Sequence, residues 1–187
     1  MPFYTRATPT ADPLAVSLGM INWSYDLAIA AVTLAPTSQT IHISALWLPG
    51  GVQVGTLWFG ISTPAAGTVP TSIIIGLENG ATIVTQSAEL KNNTGWLTGG
   101  VQKFPIVPFT PPQGGFYRGC FWQNGAWGTT QLALANRTVA GLNTTAQALA
   151  YVPWHTGGTS VAAFPANGAA LPSIVFGTNA LWIGAGP

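Results

Sequence analysis

Residues 72–87 read SIIIGLENGATIVTQS, and this stretch decides the fold class. Two runs rich in β-branched residues flank Asn79-Gly80. Asn-Gly between such runs is the strongest short-range hairpin signal, because a type I′ turn needs positive φ at both loop positions. With Asn79-Gly80 as the loop, Leu77 pairs with Thr82, Ile75 with Val84 and Ile73 with Gln86. Glu78 then flanks the turn and reads as a solvated residue.

The same period of two extends outward. Residues 39–48 (QTIHISALWL) set Ile41, Ile43, Ala45 and Trp47 on one face against His42 and Ser44 on the other, and Pro49-Gly50-Gly51 ends the run. Residues 52–63 (VQVGTLWFGIST) put Val52 and Val54 on one face, then Leu57, Phe59 and Ile61 at the opposite parity. A slip of one residue at Gly55 predicts a β-bulge. Downstream, the turn at 91–100 leads into 101–109, which Pro105 and Pro108 assign to a sheet edge. Residues 116–122 (FYRGCFW) read as a buried aromatic strand. Shorter strand candidates are 131–134, 149–152, 173–176 and 180–183, and the best helix candidate, 144–151, spans one or two turns.

Short strands separated by Gly/Pro turns predict an all-β fold, an antiparallel β-sandwich of jelly-roll type with little or no helix. Residues 31–187 form that domain. Residues 1–30 read either as an attachment arm that docks on a neighbour or as a first strand plus a loop.

Composition narrows the function. Only 5% of the 187 residues are charged, against about 25% in ordinary globular chains. A soluble monomer normally covers itself with Lys and Glu, so this chain has either a Ser/Thr/Asn/Gln/Gly surface or faces buried in an assembly. A net charge of +1 with five scattered basic residues excludes an electrostatic nucleic-acid interface. The richest apolar run, 27–35, falls far short of the roughly 20 residues of a membrane-spanning helix, and no membrane insertion is expected. The start of the sequence carries no secretory signal pattern.

Catalytic chemistry lacks its parts. Among four carboxylates, Glu78 and Glu89 read as solvated turn residues, Asp12 precedes Pro13, and Asp26 alone lies among aromatic and apolar neighbours. One carboxylate is not an acid–base pair. His42 falls on the polar parity of its strand and reads as a surface position, while His155 sits in a loop. No nucleophile elbow, zinc spacing or phosphate-cradling loop occurs. Cys120 stands alone among aromatic residues and reads as a buried, inert thiol. No enzyme activity, cofactor or metal is expected. Of eight tryptophans, Trp47, Trp58 and Trp122 lie in strands and are expected to fill the sandwich. Trp96 and Trp127 sit in Gly/Asn-rich loops, which makes them the candidate exposed residues for a ligand or subunit contact. Asn22, Asn92, Asn136 and Asn143 head glycosylation-type sequons read as coincidental.

From about residue 40 onward the order of features resembles a β-sandwich domain of minor tail proteins in phages that infect actinobacteria. The matching pieces are Leu48-Pro49-Gly50-Gly51, the pair around Leu57-Trp58-Phe59, the hairpin at 76–87, Trp96, the Pro-rich edge at 109–117, and Leu171-Pro172-Ser173 before a last Trp-bearing strand. The resemblance is one of pattern and spacing, and Glu78 stands where the family more often has Tyr-Asp or Tyr-Ser. It implies a structural virion protein of the tail or a fibre, forming homo-oligomers, trimers first, bound to other virion proteins and facing a host cell-envelope glycan. Capsid decoration and a carbohydrate-binding module built on loop tryptophans are the alternatives.

Overall fold

The structure is a computed structural model that describes residues 13–24, 30, 32–138, 154–156, 159–172 and 179–187. Its strands form two antiparallel sheets packed as a sandwich. In the first sheet, β4 (Val54–Thr63) pairs on one side with β7 (Gly100–Phe109). On its other side it meets β12 (Ile183–Gly186) and, further along, β9 (Ala133–Thr138). β1 (Asn22–Trp23) extends the sheet from β12, while β2 (Val32–Leu34) and β11 (Asn179–Leu181) pair with β9. The second sheet runs in the order β10 (Trp154–Thr156), β3 (Ile41–Leu48), β8 (Gly115–Asn124), β5 (Ser72–Asn79), β6 (Thr82–Gln86).

The hairpin of β5 and β6 forms, with its turn one residue later than expected. Asn79 pairs with Thr82, so Gly80 and Ala81 are the loop residues, with φ of 60° and 69°. A shift between Leu77 and Glu78 then sets Leu77 opposite Thr85 rather than Thr82. Both loop positions have the positive φ of a type I′ turn, although Ala81 has a Cβ that disfavours it. The Glu78 carboxylate accepts the Ala81 N–H and holds that conformation.

The register shifts at Gly55, where a slip was expected, but the two extra residues lie on β7: Val54 faces Phe109 and Thr56 faces Pro105. Val54, Leu57, Phe59 and Ile61 are all buried, but Val52 precedes the strand and is exposed. β7 pairs with β4 alone among the described strands, and Pro105 and Pro108, which have no N–H to give to a ladder, suit that edge position.

Leu46, Leu57, Phe59, Ile75, Tyr117 and Phe121 anchor the core between the sheets. The two layers approach closely at Gly119, where a Cβ would sit 2.7 Å from Cγ2 of Ile183. β3 corrects the expected orientation. Leu46 and Leu48 point into the inter-sheet core, while Ile41 and Ile43 join Cys120 and Trp122 on the outer face. That face is buried too, because residues 159–172 run across it as a strap. Val161 N–H donates to Gln39 O, and Trp122 Nε1 donates to Val161 O at 3.0 Å. Ile83 exchanges backbone bonds with Gly168 and Ala169, and Leu171 N–H donates to Ala81 O.

Within the segment expected to be an arm, residues 13–24 pack on their own chain. α1 (Pro13–Ser17) and β1 place Ala15, Met20 and Trp23 against Trp182 on the outer face of the first sheet. The strand candidates at 149–152 and 173–176, the helix candidate at 144–151, and Asp26 lie outside the described residues.

Candidate interaction surface

The two tryptophans expected at the surface are in the core. Trp96 lies on a 3-10 turn (Thr94–Leu97) whose cap is Asn93, with Oδ1 accepting the Gly95 N–H at 2.9 Å. Its ring stacks on Phe104 at 3.6 Å, stands edge-on to Phe121, and its Nε1 donates to Leu90 O. Trp127 is buried as well, fixed by Gln131, whose Nε2 donates to the Trp127 carbonyl at 2.6 Å. Both loops are polar in composition, yet each delivers its one large ring into the sandwich. Burying a tryptophan outweighs the polarity of its neighbours.

Strand tryptophans take the opposite place. Trp122 is on the outer face of the second sheet, under the strap and near Phe164. Trp47 is half-buried and pairs across strands with Phe116, which is 54% exposed. Trp58 is half-buried on the outer face of the first sheet, beside the cluster of Met20, Trp23 and Trp182. There Lys103 of β7 sits directly opposite Trp58, with Nζ 5.9 Å from the ring centroid.

Charge is used sparingly, and one ion pair lies in the interior. Glu78, expected to be solvated, has no exposed surface, and its two carboxylate oxygens meet Nε and an Nη of Arg118 on the neighbouring strand. Pairing with Arg118, 40 residues away, goes with an interior place for this position near a turn, which the local sequence does not encode. Burial pushes the Cys120 thiol up, and the Glu78 charge pushes it further. Burial alone would raise the Glu89 carboxyl, but bonds from Ile73 N–H at 2.7 Å, Ser72 Oγ and Lys91 N–H hold it below the usual range. His42 is half-buried rather than a plain surface position. Burial lowers it to about 4, and its Nε2 accepts the Thr37 N–H at 3.3 Å.

His155, expected in a loop, lies in β10 at the edge of the second sheet, where its backbone is paired with Ile43 of β3. Among the described residues no three His, Cys, Asp or Glu side chains gather as a metal site, and no helix is long and apolar enough to cross a membrane. Of the sequons, Asn22 and Asn136 are buried, Asn92 is exposed, and Asn143 lies outside the described residues.

The surface assets are therefore aromatic and apolar. Leu14, Val16, Leu18, Leu97, Val107 and Phe116 are each between 50% and 56% exposed. The sequence reading missed Trp58 as a surface residue. Its available signal was Gly184 and Gly186, alternating in the last strand, where a sheet face without side chains leaves room for a ring. Compared with known proteins, the chain matches no family model, no curated protein and no solved structure.

Proposed function

We propose that this chain is a non-enzymatic structural protein of a tailed-phage particle, a minor tail or fibre component that works as a homo-oligomer and meets the host surface. One observation carries the reading: apolar side chains stand half exposed, and among the described residues few charges stand free beside them. Of the six charged side chains in the described residues, Glu78 and Arg118 turn inward and Glu89 folds back on its own loop beside Lys91, leaving Lys103 and Arg137. Such a surface is poorly defended against association, and symmetric copies would bury it. The resemblance in pattern to minor tail domains supports the particle and the tail as its place.

Light scattering on the purified protein tests the assembly, with a trimer at three times 19.3 kDa expected. A concentration-independent monomer overturns it. Immunogold microscopy of intact particles tests the location: label at the tail tip supports the reading, label over the head makes it a decoration protein, and unlabelled particles overturn the virion assignment.

A further inference from the structure

The outer face of the first sheet holds an indole ring with a prepared floor. Along β4, Leu57 and Phe59 enter the core, so Thr56 and Trp58 face outward. Beside Trp58 the neighbouring strand offers Gly184, and two residues on, Gly186. A Cβ at Gly186 would lie 2.7 Å from Trp58 Nε1, and one at Gly184 would lie 3.3 Å from Trp58 Cβ. The indole thus lies close over Gly186, while at Gly184 the nearest atom to a Cβ would be Met20 Sδ at 2.9 Å, so Trp58 is braced by the Met20 and Trp182 cluster beside it. Its Nε1 donates to Thr56 Oγ1 at 3.2 Å, and that hydroxyl donates to Pro187 O at 3.2 Å, which fixes the ring's orientation.

Lys103 completes the arrangement from the other side. It is exposed, lies across the strand pair from Trp58, and has no carboxylate partner among the described residues. Glycine inside a strand weakens it, and here Gly186 lets the indole lie close against the backbone. A ring held in place before binding loses little entropy when a ligand stacks on it.

We propose that Trp58 and Lys103 form a binding site for a uronic-acid saccharide. The apolar C–H face of a pyranose ring stacks on the indole, and the sugar carboxylate pairs with the Lys103 ammonium. A flat platform with a single cation binds weakly at each site, and copies in an oligomer would add avidity. The site itself does not depend on the virion reading, which supplies only the setting in which the saccharide is met. Failure of one is therefore distinguishable from failure of the other, because saccharide binding and assembly mass are measured separately.

The test is a titration of the purified protein with hexagalacturonate and with its fully methyl-esterified form, followed by the tryptophan indole N–H resonances. Trp58→Phe assigns the Trp58 signal. A saturable shift of that signal with hexagalacturonate is expected, weakened about tenfold for the methyl ester, as fits loss of one charge-assisted contact. Lys103→Gln, an exposed change on the edge strand, should weaken hexagalacturonate by a similar factor and leave the ester's affinity unchanged. Trp58→Ala should abolish binding while the strand circular dichroism persists. Absence of a saturable Trp58 shift, or equal binding of acid and ester, overturns the proposal. So does Lys103→Gln binding that matches the parent, a result that stands even if Trp58→Ala fails to fold.

Discussion

Glu78 and Arg118 face each other directly across β5 and β8, and the guanidinium meets both carboxylate oxygens side-on. A bidentate pair of this kind satisfies both ions only while each is present. Breaking a buried pair from one side leaves an uncompensated charge, at about 3 to 5 kcal/mol. Arg118→Met should therefore lower the urea midpoint strongly, and the double variant Glu78→Leu/Arg118→Met should regain most of the loss. A double variant no more stable than the single one would contradict this account of the pair.

The ring of Trp96 plugs one end of the sandwich by stacking on Phe104 and meeting Phe121 edge-on. Truncating a fully buried tryptophan costs about 3 to 5 kcal/mol. Trp96→Ala should approach or cross the limit of stability, measured by thermal melting followed in the near ultraviolet. Trp96→Phe retains part of the stack and should fall between. A melting point unchanged in Trp96→Ala would return this residue to the surface.

His42 gives the fold an acid sensitivity with a definite window. The unfolded chain takes up a proton near the ordinary value of 6.5, whereas burial delays uptake in the folded state to about 4. Protons thus favour unfolding, and this contribution to stability is lost as pH falls from 6.5 to 4 and is level below that. The full interval corresponds to about 3 kcal/mol. Denaturant midpoints of the parent should drop across the window, and His42→Gln should flatten the drop. An equally steep drop in the variant would assign it to other groups.

Cys120 reports on the strap. Its thiol is fully buried under residues 159–172 and its ionisation is suppressed, so a thiol reagent at neutral pH should react slowly with the native protein. Phe164 packs on Trp122 and over Gly76. Removing that ring should ease lifting of the strap by about 2 kcal/mol, or about thirtyfold in labelling rate. Phe164→Ala should show that increase with the strand signal retained. Unchanged labelling would mean that the strap does not guard the thiol.

Much of the framework was legible along the chain, because strand alternation and turn chemistry are local. The register shift at Gly55 followed from a change of parity within one strand, and the edge position of β7 from two prolines that cannot donate. The hairpin was legible but its turn was not placed to the residue. Asn79 ends the strand and Ala81 enters the loop, because the Glu78 carboxylate holds the Ala81 N–H. Arg118, which also binds that carboxylate, comes from 40 residues away.

The sequence by itself determined an all-β antiparallel architecture, a buried lone thiol and a molecule almost without surface charge. Those follow from period, turn residues and composition. Only the tertiary structure decided which face of each strand looks inward. The strap buries the outer side of β3 and β8, so apolar alternation no longer distinguishes core from exterior. The same long-range contacts sent Trp96 and Trp127 inside, brought Glu78 to Arg118, and left Trp58 on an outer face beside Lys103. A tryptophan's burial depends on the elements that arrive above it, and those come from residues distant in the chain.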